Sequence, residues 1–339
     1  MKKFMKGCAI TALVFGALGF ILGMAGSAMA GRASIAEAVR NATGGRVHMN
    51  PAAWWKWGFD MDEWIHAEAG EVSYGMEEDI VRDEGIVQYE TVKDNDPMFN
   101  GRYDIWKGNM EKYCPGEGIL KLDIEVGGVL FDTEVSEDGQ IYLETENVHR
   151  FQGYVEDNTL YIRAKGVSTE NWTDIGSSAI RLYLPAEYQF TEADVEVGAG
   201  NLYFTDLYAE EVSLEAGAGH IEIQGANAEK ADISVGAGSV WLQSFRTAEL
   251  DVEIGLGEFI MEGAVGRKAD IECSMGNVDM TLAGKEQDFN YQMECSMGNI
   301  DLGNNSYVGF GQEKEVDHQA SKDMDIECSM GNIIIRFLD

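Results

Sequence analysis

One short phrase is written seven times between Asp194 and Phe337, and nothing else in the chain narrows the possible folds so far. The copies begin as DVEVGAGNLYF at Asp194, SLEAGAGHIEI at Ser213, DISVGAGSVWL at Asp232 and DVEIGLGEFIM at Asp251. They continue as DIECSMGNVDM at Asp270, QMECSMGNIDL at Gln292 and DIECSMGNIII at Asp325. A glycine closes each central turn, at Gly200, Gly219, Gly238, Gly257, Gly276, Gly298 and Gly331. The first four intervals between these glycines are 19 residues, the next is 22 and the last is 33. A short fixed period of this kind marks stacked supersecondary units.

Within a copy, apolar and polar residues alternate. Before the turn Val195 and Val197 flank Glu196, and after it Leu202 and Phe204 flank Tyr203. Other copies fill the first inward slot with Leu214, Ile233, Val252, Ile271, Met293 and Ile326, and the slot beyond the turn with Ile221, Val240, Phe259, Val278, Ile300 and Ile333. That is strand, turn, strand, with one dry face. A helix would need apolar residues at i, i+3 and i+4 and would be weakened by central glycines. One unit cannot stand alone: each buried apolar side chain contributes about 1.5–3 kcal/mol, while ordering the backbone costs about 1–2 kcal/mol per residue. Stacking removes the deficit, because each rung covers its neighbours and pairs with them at about 4.8 Å. The expectation is an all-β fold, a single-stranded parallel β-solenoid (β-helix-like) of about 19-residue rungs, right-handed by the general crossover preference.

Two columns follow from that register. The second turn glycine is kept in every copy, while the first becomes Ser274, Ser296 and Ser329. The second position is therefore expected to need a positive φ or a close backbone approach. Three of the five cysteines, Cys273, Cys295 and Cys328, share one inward slot with Val197, Ala216, Val235 and Ile254. There they read as small hydrophobes, a file of buried free thiols; a Cys-x-x-Cys spacing with a partner histidine, as a thiolate metal site would want, is missing. On the outer face Asp194, Glu196, Asp251, Glu253, Asp270 and Glu272 would line carboxylate columns, with Asp232, Glu215, Glu294, Asp325 and Glu327 alongside. These six are candidate Ca²⁺ ligands, since Ca²⁺ favours clustered carboxylate oxygens. The other reading is a solvated face without a bound cofactor.

The net charge of −34 disfavours nucleic acid as a partner, because phosphate recognition needs a basic stripe. Enzyme signatures are missing as well. The histidines form no HExxH pair, and G-x-S-x-G, a phosphate loop and a Rossmann fingerprint do not occur. A β-helix polysaccharide-degrading enzyme is the nearest catalytic alternative. In the regular repeats up to Gly284, however, the only basic residues are Lys230, Arg246, Arg267 and Lys268, placed in inter-rung links.

The N-terminus has its own character. Residues 1–31 carry Lys2, Lys3 and Lys6, then an uncharged run from Cys8 to Ala30. That run is long enough to span a bilayer as a transmembrane helix, with the lysines holding the N-terminus inside. Ala28-Met29-Ala30 also suits signal cleavage, which would release a secreted protein. Residues 32–118 read as a juxtamembrane acidic connector, with Trp54, Trp55, Trp57 and Trp64 close together. Residues 119–339 read as the repeat domain, entered through LDIEVGGVLF with Gly127-Gly128 at its turn. Asn304 to Lys322, with Tyr307, Phe310 and His318, is the long excursion and a candidate contact surface. The last copy is expected to end the stack, with Ile334 and Arg336 facing outward on a terminal rung.

RLYLPAEYQF leading into DVEVGAGNLYF, followed by GAG-type and ECSMGNI-type copies, resembles the bacterial putative-adhesin family, a domain of unknown function built of β-strand repeats. The resemblance spans roughly residues 119–337 and rests on strand and turn signatures, so it implies architecture and supplies no catalytic residues. The residues and the resemblance together point to an exported, single-pass, membrane-tethered surface protein with its C-terminal domain extracytoplasmic. Its role is then adhesin-like or that of an envelope scaffold, with the membrane and an envelope glycan or protein as partners. The alternative is an envelope stress sensor working with a membrane partner.

Overall fold

The computed structural model describes residues 89–92, 96–166, 178–308 and 311–338. The expected membrane segment and the tryptophan cluster lie outside the described residues. Among the described residues no helix is long and apolar enough to cross a membrane.

The fold is all-β, with one 3-10 turn at Glu286–Asp288 as its helical content among the described residues. The first strands are β1 (Tyr89–Val92), β2 (Ile105–Tyr113), β3 (Lys121–Gly127), β4 (Val129–Val135), β5 (Tyr142–Glu156), β6 (Thr159–Lys165) and β7 (Ala179–Leu184). The repeats follow as β8 (Gln189–Val197), β9 (Gly200–Ala216), β10 (His220–Val235), β11 (Ser239–Ile254), β12 (Glu258–Cys273) and β13 (Asn277–Ala283). The chain closes with β14 (Phe289–Cys295), β15 (Asn299–Leu302), β16 (Asn305–Val308), β17 (Gln312–Val316), β18 (Lys322–Cys328) and β19 (Asn332–Leu338).

Successive repeats pair in parallel and in register. His220 faces Asn201 on one side and Ser239 on the other, and Ile233 lies between Leu214 and Val252. The segments expected to be links are strand throughout, because β9 to β12 each run from one turn to the next. In β9 the buried residues are Leu202 and Phe204, then Leu207 and Ala209, then Val212, Leu214 and Ala216. Consecutive outward residues, Thr205-Asp206 and Glu210-Glu211, separate these runs and reset the alternation. The middle run is short and contains alanine, so period two is hard to see there. Arg267, expected in a link, joins Glu229 (2.7 Å) and Glu249 (3.2 Å) across rungs.

The order in space differs from the order in sequence. β18 and β19 pair with β12 and β13 on one side and with β14 and β15 on the other. The last copy is therefore an interior rung, and the expectation that Ile334 and Arg336 sit on a terminal rung is corrected. The terminal rung is β14–β15, covered by β17 and β16, which pair antiparallel with it. Within Asn304 to Lys322, expected as a contact loop, β16 and β17 thus cover the open edge, where unpaired N–H and C=O groups would otherwise invite association, and Phe310 lies outside the described residues. The other end is built alike. β3 and β4 lie between β8–β9 and β6–β7, and β5 pairs antiparallel with both β6 and β7. β5 is covered in turn by β2, and β2 by β1, so strands within the stretch expected as a connector belong to this sheet.

The turn glycines have a steric cause. Of the seven, Gly200 alone has a positive φ, at 117°. A Cβ at Gly298 or Gly331 would sit 2.5 or 2.7 Å from the glycine carbonyl oxygen of the rung beside it, and closer still at Gly238, Gly257 and Gly276. At the first turn position the carbonyl approach is 3.1 Å at Gly217, 2.8 Å at Gly236 and 2.9 Å at Gly255, much like the 3.0 Å at Gly219, and the nearest atoms at that position are backbone alone. At Gly219, Gly257, Gly276, Gly298 and Gly331 a Cβ would also overlap a side chain of the rung beside it, Val197, Val235, Ile254, Cys328 and Cys273 in turn. Serine is accepted at the first position and glycine is kept at the second for that reason.

A candidate binding groove along the turns

A groove of about 900 Å³ runs over the turn file, floored by Gly200, Gly219, Gly238, Gly257, Gly276 and Gly331. Because these rungs touch backbone to backbone, the floor carries no side chains. One wall is the residue after each glycine, which the repeat keeps polar: Asn201, His220, Ser239, Glu258, Asn277, Asn332 and, beyond it, Asn299. Sequence reasoning passed over this column, although its polarity in every copy was the available signal.

The column is hydrogen-bonded across rungs in two runs, His220 with Ser239 and Glu258 through Asn277 and Asn332 to Asn299. His220 Nδ1 lies 2.7 Å from Ser239 Oγ. Asn277 Nδ2 donates to Glu258 Oε1 at 3.2 Å, Asn332 Nδ2 to Asn277 Oδ1 at 2.9 Å, and Asn299 Nδ2 to Asn332 Oδ1 at 2.9 Å. Asn277 and Asn332 each retain capacity for a further donated and a further accepted bond, whereas Asn299 gives both amide hydrogens to Asn332 and Asp301. The opposite wall is the middle turn residue, small at Ala218 and Ala237 and larger at Leu256, Met275 and Met330. Met330 is 47% exposed and Met297 56%.

At the end nearer β9 the groove meets an aromatic patch. His220 contacts Tyr203 (5.9 Å between ring centroids) and Trp241 (4.9 Å), and Glu222 lies between Tyr203 and Trp241 in the same column. Trp241 is 38% exposed, with its ring set edge to face with His220. A small cleft lined by Asp132, Thr133, Tyr203, Thr205, Glu222 and Gln224 opens beside it. His220 Nε2 is 3.7 Å from Glu222 Oε2, so a Ser–His–Glu set is present in outline. The nearest backbone amides, those of Gly238 and Ser239, are spent on the Gly217 and Gly219 carbonyls in the ladder.

The expected carboxylate columns exist. Asp232, Asp251, Asp270 and Asp325 are successive partners, as are Glu253, Glu272 and Glu327, while Asp194 and Glu196 pair with Asp123 and Glu125. Parallel stacking makes these carboxylates point the same way instead of converging. Among the described residues no group of three or more His, Cys, Asp or Glu could hold a metal ion.

Burial first, and neighbouring carboxylates next, push Asp194, Glu196 and Glu272 above the usual carboxylate range. Such groups hold their protons to higher pH when folded than when unfolded, so stability falls as pH rises through that window. Asp96 works the other way: burial raises it, but bonds from Lys165 and the Met98 amide outweigh this and lower it. The raised group is larger, so the melting temperature is expected to rise on going from about pH 7 to about pH 5, less so in high salt. Glu272→Gln removes repulsion from both column neighbours and is expected to stabilise the neutral-pH protein by about 1 kcal/mol at low salt. A steady fall in melting temperature over the same interval would contradict the columns.

A family model described as Toastrack DUF4097 matches residues 122–336. Among solved structures, a putative adhesin from Bacteroides fragilis is 13% identical, covering 67% of this chain and 95% of its own, with a TM-score of 0.39. A putative adhesin from Parabacteroides distasonis is 12% identical over 67% and 95%, with a TM-score of 0.41. A putative lipid binding protein from the same organism is 15% identical over 69% and 97%, with a TM-score of 0.35. A search of curated proteins found no match.

Proposed function

The chain belongs to the Toastrack DUF4097 family, and from that premise we propose an exported, membrane-tethered β-solenoid that presents a non-catalytic binding surface. Its role is adhesin-like or that of an envelope scaffold, and its groove takes a neutral glycan chain. The observation that carries the reading is the groove itself, where a side-chain-free floor, a ladder of amides and hydroxyls and an exposed Trp241 follow one another along adjacent rungs. Aromatic faces stack on the apolar faces of sugars, and planar amide and carboxylate groups hydrogen-bond neighbouring hydroxyls. The net charge of −34 disfavours acidic polysaccharides. An extended peptide suits the site less well, because the turn amides are already spent in the ladder and offer no edge for strand addition.

The lysine-flanked uncharged run supports export and tethering. Calorimetric titration with cello- and chito-oligosaccharides is expected to show binding. Trp241→Ala should weaken it by about 2 kcal/mol, roughly 30-fold in Kd. No heat with either series from a folded sample would overturn the glycan reading, and recovery of the protein in the soluble cell fraction would overturn the tether.

A further inference from the structure

The cysteine file has a chemistry that its use as core filling does not exhaust. The register sets Cys328 directly between Cys273 and Cys295. All three are free and only 2% exposed. The side chains repeat one orientation: a Cβ added at Gly331 would overlap Cys273 Sγ, and one added at Gly298 would overlap Cys328 Sγ. Directly paired residues of parallel strands stand about 4.8 Å apart at Cα, inside the range of about 4.4–6.8 Å that a disulfide spans, and their parallel Cβ atoms must close by a few tenths of an ångström to reach its Cβ range of about 3.5–4.5 Å.

We propose that this file is an oxidative modification site, in which Cys328 forms a disulfide with either Cys273 or Cys295 and never leaves those two joined to each other.

The reaction begins at Cys273. The Cys328 thiol beside it and the amides of Gly276 and Asn332 hold the Cys273 thiol below the usual range, while Cys273 and burial push Cys328 up; in the neutral file the Cys328 S–H points to the Asn299 carbonyl oxygen at 3.8 Å. Hydrogen peroxide, little larger than water, is the oxidant. The Cys273 thiolate attacks one peroxide oxygen, the O–O bond breaks, and the leaving hydroxide takes the proton that Cys273 gave up, so that sulfenic acid and water result. The Cys328 sulfur then attacks the Cys273 sulfur, releasing a second water as the S–S bond forms. Two thiols have lost two electrons to one peroxide. The stacked file also places Cys295 in line behind that bond. Attack by Cys295 on Cys328 forms the Cys295–Cys328 bond, breaks the Cys273–Cys328 bond and leaves the proton on Cys273, which is thiol–disulfide exchange along a row.

This inference is independent of the glycan reading. It is tested on the full-length protein, treated with hydrogen peroxide, quenched in acid, alkylated with N-ethylmaleimide and digested with trypsin. Lys268, Lys285, Lys314, Lys322 and Arg336 place the three cysteines on separate peptides. The expected products join Cys273 to Cys328 and Cys295 to Cys328. Cys328→Ser should remove both links although two cysteines remain in the file, and Cys273→Ser should leave the Cys295–Cys328 link. A Cys273–Cys295 link, in the native chain or in Cys328→Ser, would overturn the proposal. So would peroxide treatment that leaves all three alkylatable or yields only links through Cys114. Far-ultraviolet circular dichroism of each variant checks that it is folded.

Discussion

Removing residues 322–339 is expected to undo the fold well before residue 322, loosening Phe289 to Val316 as a unit. The deleted strands bury Met324, Ile326, Cys328, Ile333 and Ile335 between two other rungs. At about 1.5–3 kcal/mol for each large side chain, that is on the order of 10 kcal/mol, an upper figure because unfolded chains bury some surface too. It is comparable to the entire stability of an ordinary domain, about 5–15 kcal/mol. β14 and β15 would lose their parallel partners, and with them the reason for β16 and β17 to stay. Hydrogen exchange should become fast across Phe289–Cys295 and Asn299–Leu302 while β9 to β11 stay protected, because rungs depend mainly on their neighbours. Ile326→Ala is the gentler version, at about 2–5 kcal/mol. Slow exchange persisting in β14 and β15 of the truncated chain would mean that the last copy does not lie between them.

The second large effect is expected at Gly238. In Gly238→Ala the new methyl would overlap the Gly219 carbonyl oxygen and lie 2.9 Å from the Gly219 nitrogen and 3.1 Å from the Ala218 carbonyl carbon. All three are backbone atoms, and the Gly219 oxygen accepts from the Ser239 amide across the rungs, so relief requires the rungs to part. Overpacking in a close-packed interior costs about 1–3 kcal/mol and occasionally more; this site belongs at the upper end, lowering Tm by roughly 6–12 °C. Gly236→Ser, which copies the natural Ser274, should cost less than Gly238→Ala, about 1–2 kcal/mol, since its one approach under 3 Å is 2.8 Å to the Gly217 carbonyl oxygen, which must shift. Gly127→Ala, with nothing within 4 Å, should stay within about 0.5 kcal/mol of the native chain. Equal melting temperatures for the three variants would refute the steric account of the turn.

The in-register rows were legible because each copy repeats the same alternation, and a slip of one residue would turn every apolar side chain outward. Cys273, Cys295 and Cys328 could be assigned to one buried slot from sequence for the same reason. The role of Asn304 to Lys322 was not legible, because a polar stretch between repeats reads alike whether it hangs free or covers an edge. The groove column from Asn201 to Asn332 was overlooked for a related cause. Polar residues beside a turn usually mean solvent, and only stacking turns them into a hydrogen-bonded ladder.

Local alternation and the period of the glycines were enough, without coordinates, to settle that the chain is β, which faces are dry and which residues share a slot. Period and pattern are properties of each strand by itself. The neighbour that each strand takes is not: the last copy suits the gap between β13 and β15 as well as it would suit the end of the row, because every rung presents nearly the same surface. Closing both open edges decides between those places. That energy exists only in the assembled sheet, and so the order of the rungs, the middle position of Cys328 and the continuous groove were decided by tertiary structure alone.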